Sequence, residues 1–243
     1  MPYRNRIVAA LALLLCPLVA QGQSRYALGI AGLYGQPLGP FADNVRRGFG
    51  LDGMGSIAFD QFGIFSLKAE LGYVRLAKKS EPFIAQDFGG FFELESETTS
   101  GVLTFGAGPQ LTLPSGAVRP YVGGTVGFAR FATNTSINLP ADQSNTGQKE
   151  TLYDETVSSD FILSLTASGG IRFELPFMGR GILADLGARW HRNGAAEYVS
   201  SEDVQYNGTG RPTITPTRSD ADFIVYRLGI VIPLGGGHVT VAP

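Results

Sequence analysis

Between residues 65 and 76 the chain alternates without a slip. Phe65, Leu67, Ala69, Leu71 and Tyr73 fall on one side, and Ser66, Lys68, Glu70 and Gly72 on the other. Successive side chains of a strand point to opposite faces, so this is the pattern of a strand with one apolar and one polar surface. The alternation returns at 25–34, 48–59, 101–113, 119–131, 160–175, 181–192 and 220–234. In the last of these, Ile224, Tyr226, Leu228, Ile230, Ile232 and Leu234 make a wholly apolar face. The opposite face, Phe223, Val225, Arg227, Gly229, Val231 and Pro233, carries a charge and a glycine.

Eight such stretches are joined by connections that alternate in length: long at 35–47, 77–99, 132–158 and 193–219, short at 60–63, 114–117 and 176–180. An up-and-down arrangement with short turns at one end and longer loops at the other produces this rhythm. The persistently polar second face argues against a soluble sandwich, whose two sheets share a dry core. A strand with a lipid-facing surface tolerates no open edge, so the set must close on itself. The expected fold is all-β, an eight-stranded antiparallel up-and-down transmembrane β-barrel, with an interior just wide enough for side chains to fill. Aromatics cluster where a bilayer interface would lie. Tyr73, Phe131, Phe161 and Trp190 stand near the loop ends of strands, and Phe59, Phe62, Phe65, Phe173 and Phe177 near the short turns.

Residues 1–22 are expected to lie outside this fold. Arg4 and Arg6 precede an apolar run to Val19, and Ala20-Gln21-Gly22 supplies the small residues of a cleavage site, the order of a secretory signal peptide. Residues 23–243 then form one barrel domain, with the last strand at about 220–234 and a short tail at 235–243. The sole cysteine, Cys16, falls within the signal, so the mature chain has no thiol for a disulfide, a metal or a nucleophile. Removing Arg4 and Arg6 from 19 basic residues, against 21 acidic ones, takes the formal charge from −2 to −4. There is no basic excess in the net charge to recruit nucleic acid or anionic lipid. The 33 glycines and 16 phenylalanines suit strands, turns and apolar bands, and no cofactor motif is present.

The polar faces place Asp52, Glu70, Glu174 and Asp185 inside the barrel together with Lys68, Arg172, Arg189 and Arg227. Four acids against four bases predict mutual neutralisation by interior ion pairs, because unpaired charges there are costly. A small pore lined by these charges is the alternative.

The final strand resembles the assembly signal of the OmpA-like family of small outer-membrane β-barrels, polar-x-Gly-x-x-apolar-x-apolar. Arg227, Gly229, Ile232 and Leu234 occupy its marked positions, and the chain runs on to Pro243 instead of ending in an aromatic. With the strand layout, the resemblance covers essentially the whole mature chain. It implies the outer membrane of a double-membraned bacterium, with outer-membrane lipids and the barrel-assembly machinery as partners. It does not name a task, since such barrels serve unrelated ones.

An enzymatic reading would have to rest on Trp190-His191-Arg192-Asn193, which is similar to the His-x-Ser-Asn motif of lipid A deacylase barrels. Asn193 stands where the nucleophilic serine belongs and cannot act as one, so no enzyme is expected. A binding role would reside in the long loops. Phe83, Phe88, Phe91 and Phe92, among acids in the 77–99 segment, form the candidate interaction site for an extracellular ligand. Extension of the flanking strands beyond the membrane is the other reading of that segment. The expected function is structural or surface-interacting.

Overall fold

The computed structural model describes residues 25–60, 62–87, 90–113, 117–140, 148–175, 181–199, 204–206 and 212–234. The expected signal peptide, the tail and Phe88 lie outside these. Among the described residues there are twelve strands and one short helix: β1 (Tyr26–Pro37), α1 (Pro40–Asn44), β2 (Gly48–Ala58), β3 (Phe65–Asp87), β4 (Gly90–Thr112), β5 (Val118–Leu139), β6 (Glu150–Glu174), β7 (Leu183–Arg192), β8 (Ala195–Tyr198), β9 (Val204–Tyr206), β10 (Pro212–Ile214), β11 (Thr217–Asp220) and β12 (Phe223–Leu234). Eight of them, β1 to β7 and β12, close into one barrel in which every neighbour is antiparallel. The remaining strands form two small hairpins, β9 with β10 and β8 with β11.

Closure is made by β1 against β12, from Tyr26 opposite Leu234 to Pro37 opposite Phe223. Every strand of the barrel thus has a partner on both sides, which is what removes the edge problem in lipid. Gly229 permits this seam. A Cβ there would stand 2.2 Å from the Ile30 carbonyl oxygen and 2.5 Å from the Ala31 Cβ.

Strand length divides the barrel into two halves. β1, β2, β7 and β12 have 12, 11, 10 and 12 residues, close to the 9–11 or so that cross a bilayer. β3, β4, β5 and β6 have 23, 23, 22 and 25. The extension of the flanking strands, one of the two readings of 77–99, is what the structure shows, and the expectation that 132–158 is a loop is corrected for most of its length. Ala77 to Asp87 pairs with Gly90 to Ser100, and the β5–β6 ladder runs on to Leu139 opposite Glu150. Register shifts between Arg75 and Ala77, and between Thr133 and Asn134, mark where the sheet leaves the barrel wall. Bulges gather at such rims because they add local twist. The periodicity fades in the extensions because neither face meets lipid there, so no apolar row is selected.

The 35–47 connection contains α1. Gly39, at φ 54, takes a left-handed turn that other residues avoid, and Pro40 begins the helix where a missing N–H costs nothing. The turn drops Phe41 into the loop-side mouth of the barrel. There it packs edge-on against Tyr198 at 4.8 Å and Phe131 at 5.7 Å, and lies 6.5 Å from Phe223.

Candidate functional site

The barrel interior is built in two layers. The loop-side layer is apolar: Leu33, Phe41, Val45, Val74, Leu76, Val102, Ala129, Phe131, Tyr198, Phe223 and Val225 pack as one buried cluster around α1. The residues come from inward positions near the tops of the strands, and β8 folds over them with its hydroxyl Tyr198 Oη 2.8 Å from Ser219 Oγ. Sequence reasoning missed this lid because its key side chain, Phe41, sits in a turn-rich connection.

Beneath it lies the ionic layer. Lys68 Nζ stands 2.9 Å from Glu70 Oε2, and Arg189 Nε 3.4 Å from the same oxygen. Arg189 also pairs with Asp52, whose other oxygen lies 3.4 Å from Arg227. Arg227 Nη1 donates to Asp185 Oδ2 at 3.0 Å, and Arg172 Nε lies 3.5 Å from it. The result is one continuous chain of alternating charge, Lys68–Glu70–Arg189–Asp52–Arg227–Asp185–Arg172. All seven are buried. Alternation along one chain gives each carboxylate two cations and offsets much of the desolvation cost of burial.

Glu174 does not join it. This expected interior partner lies at the short-turn rim, more than half exposed, in an ion pair with Arg119. Among the described residues the interior set is thus four cations against three carboxylates, and the expected four-to-four balance is corrected. Glu174 sits too far down β6, two residues beyond Arg172, to face the lumen's closed section.

Two further groups stabilise the surplus cation. Tyr121, on β5, donates its phenol to Asp185 Oδ1 at 2.8 Å, and its ring lies under the Arg172 guanidinium at 4.6 Å. Arg172 is also 3.5 Å from Gln110 Oε1. A cation over a tyrosine face is favourable, more so away from water. The ring crosses the wall over two glycines. A Cβ at Gly170 would meet the phenol oxygen at 2.6 Å, and one at Gly187 at 2.3 Å. That glycine slot opposite an inward tyrosine is the sequence signal that could have found Tyr121.

His191 is buried between the layers. Its ring stacks on Phe223 at 4.5 Å, and Nδ1 lies 3.1 Å from Thr166 Oγ1. Asn193 donates its side-chain amide to the Ala221 carbonyl at 2.8 Å. Both residues are committed to packing inside the wall, and His191 points away from the membrane. Of the aromatic loop set, Phe83 and Phe91–Phe92 lie on β3 and β4, with Phe83 opposite Leu94 and Ala85 opposite Phe92. Arg227 and Gly229 are structural members of the closing strand, and Leu234 pairs with Tyr26 at its foot.

The outer surface of the barrel carries the opposite chemistry. Leu28, Ile30, Leu51, Leu67, Leu71, Phe105, Leu111, Val122, Phe128, Leu163, Ile171, Leu186 and Leu228 are all exposed, Leu228 at 66%. They occupy the outward alternate positions of consecutive strands and form a continuous apolar belt. Phe49, Tyr73, Phe161 and Trp190 lie toward its loop end and Phe59, Phe62 and Phe65 toward its turn end. Phe131, expected at the loop-end interface, instead faces inward in the apolar lid, and Phe177 lies outside the described residues. A belt of this kind, bounded by aromatic girdles around an interior lined by charged and polar side chains, is the surface that a bilayer covers. The chain is an outer-membrane-type β-barrel of eight strands.

No family model matches the chain, and no curated protein matches it. Among solved structures, it is similar to Neisserial surface protein A at 11% identity and a TM-score of 0.49, covering 88% of this chain and all of that one. It is also similar to Ail, the attachment invasion locus protein of Yersinia pestis, crystallised with the heparin analogue sucrose octasulfate. There the identity is 13% and the TM-score 0.41, over 87% of this chain and 98% of that one. The N-terminal barrel domain of Pseudomonas aeruginosa OprF matches at 10% identity and a TM-score of 0.32, with the same coverage. At these values the assignment rests on strand pairing and on the belt.

Proposed function

We propose that this barrel is an integral outer-membrane protein that presents a surface-interaction platform and does not conduct. The observation that carries the reading is the length of β3 to β6, which are about twice as long as a membrane crossing requires. Lipid cannot account for the outer halves of these strands. Beyond Arg75, β3 is paired on one side only among the described residues, to β4, so the extension offers a bare strand edge. Exposed edges accept a partner's strand by main-chain hydrogen bonds. A rigid hydrogen-bonded sheet also presents side chains at lower entropic cost than a free loop. Phe83, Phe91 and Phe92 lie on this extension, in keeping with an interaction role for an extracellular ligand.

The closed interior is the second part of the reading. A chain of buried ion pairs of alternating sign beneath an apolar lid supports it, since among the described residues it offers a passing ion no ring of like charge. An enzymatic role is not favoured, because His191 is stacked and capped within the wall.

The two parts are tested separately. Trimming the extensions at paired positions, with residues 80–97 and 136–154 each replaced by Asn-Gly, keeps the register of both hairpins. Cells displaying the full barrel should adhere to an epithelial monolayer, and cells displaying the trimmed barrel should not. Equal adherence would sink the platform reading. In planar bilayers the purified barrel should give no steady conductance; a sustained single-channel current would favour a small pore. Acyl loss from lipid A, seen by mass spectrometry, would favour an enzyme.

A further inference from the structure

The exterior wall between β4 and β7 is not uniform. Most of the belt is large and apolar, but Ala107, Pro109, Gly124 and Ala167 bring small or flat outward groups together. They floor an open groove of about 460 Å³, walled by Val126, Leu165 and Trp190. Arg192 lines its loop-side end. The cross-strand register explains the shape: Ala107 lies opposite Val126, Gly124 opposite Ala167, and Ala167 opposite Trp190.

Arg192 pairs with Leu165 through the main chain, but its side chain is exposed and makes no ion pair or hydrogen bond among the described residues. The neighbouring acid, Asp222, accepts the Asn193 N–H at 2.9 Å. Arg192 belongs to a partial ring of outward arginines just above the aromatic girdle. Arg75 is on β3, beyond Tyr73; Arg130 is on β5, beyond Phe128, with its guanidinium 5.5 Å above the Phe161 ring. That is the headgroup level. A groove in the belt below this level faces hydrocarbon, so in a membrane only a lipid chain can cover it. A guanidinium at its mouth matches a phosphate in charge and in hydrogen-bond geometry.

We propose that this face holds a phosphorylated membrane lipid, with its phosphate at Arg192 and an acyl chain along the groove floored by Gly124 and Ala167. Arg130 flanks the same headgroup zone. The proposal rests on the outer-membrane placement above, because it needs Arg192 at a lipid interface.

Trp190 is the chain's only tryptophan and lies in the groove wall, so its fluorescence reports the occupant. The whole barrel would be refolded into phosphatidylcholine vesicles. Trp190 would then be quenched by brominated-chain phosphatidic acid in one series and by brominated-chain phosphatidylcholine in another. The anionic phosphate lipid should be preferred about fivefold, the scale of one arginine at a membrane surface. Arg192→Gln should abolish the preference while leaving quenching by brominated phosphatidylcholine intact. Ala167→Leu, which fills the groove from outside, should reduce quenching by both lipids. Equal quenching by the two lipids in the unmodified barrel, or a preference that survives Arg192→Gln, would overturn the proposal. So would loss of the preference in millimolar inorganic phosphate, because recognition would then need no acyl chain. Failure of the placement itself looks different: brominated phosphatidylcholine would then not quench Trp190 at all.

Discussion

The phenol of Tyr121 reaches across the lumen wall to donate to Asp185 at 2.8 Å, through a gap kept open by Gly170 and Gly187. This contact joins β5 to β7 over β6 and anchors the end of the ionic chain.

Tyr121→Phe removes the donor and leaves Asp185 with one oxygen unsatisfied. The expected loss is about 1–3 kcal/mol, the range for a buried polar group deprived of its partner. Gly187→Ala should be at least as damaging, since a Cβ there meets the phenol oxygen at 2.3 Å. Urea unfolding in detergent micelles or vesicles, followed by Trp190 emission, measures both.

Because four cations face three carboxylates, the ionic layer should respond asymmetrically to substitution. Asp185→Asn strands Arg172 and weakens Arg227, and should cost about 3–5 kcal/mol, as broken buried pairs do. Arg172→Met balances the count and leaves Asp185 bonded to Arg227 and Tyr121, so it should cost clearly less. The same unfolding assay ranks the two variants. Equal losses would mean that geometry, not charge balance, governs the layer.

Gly229 separates two explanations for the closing strand. If close packing against Ile30 and Ala31 is its role, Gly229→Ala should weaken the barrel even when refolded from urea with no assembly machinery. If its role is only that of an assembly signal, refolding in vitro should be unaffected and only insertion in cells should fall. Heat-modifiable migration on detergent gels, read after both routes, decides.

The short turn between β2 and β3 should carry an acid-sensitive contribution. Slight loss of hydration would raise the Asp60 pKa. The Ile64, Phe65 and Phe62 N–H groups outweigh it and hold the carboxyl below its ordinary value of 3.8. A carboxylate depressed in the folded state stabilises above its unfolded pKa, and the contribution disappears as pH falls through the folded one. Asp60→Ala should therefore be less stable than the unmodified chain at neutral pH, and the gap should close well below pH 4. Unfolding midpoints at a series of acidic pH values read this directly.

Which side chains point in and which point out was legible in the sequence, because strand geometry converts period two directly into two faces. Leu28 and Ile30 outside, Ala31 inside, and Arg227 inside with Tyr226 and Leu228 outside all follow from it. The strand count and the antiparallel order followed from the alternation of short and long connections. The candidate interior charges were legible as a set for the same reason.

Their partners were not. Asp52 and Arg189 are 137 residues apart and meet across the lumen, so pairing depends on the stagger of strands around the barrel. That stagger left Glu174 at the rim and brought in Tyr121, which no charge pattern marks. The extension of β5 and β6 was equally hidden, because main-chain pairing in water needs no apolar row. Phe41 became part of the lid only because Gly39 and Pro40 turn the chain into the barrel mouth. By itself, the sequence determined a membrane barrel and the face most strand residues occupy, since both are local consequences of alternation. The tertiary structure decided which buried charges pair, what packs within the mouth and how far the paired strands run on past the belt. Each of those depends on residues distant in the chain meeting at one height.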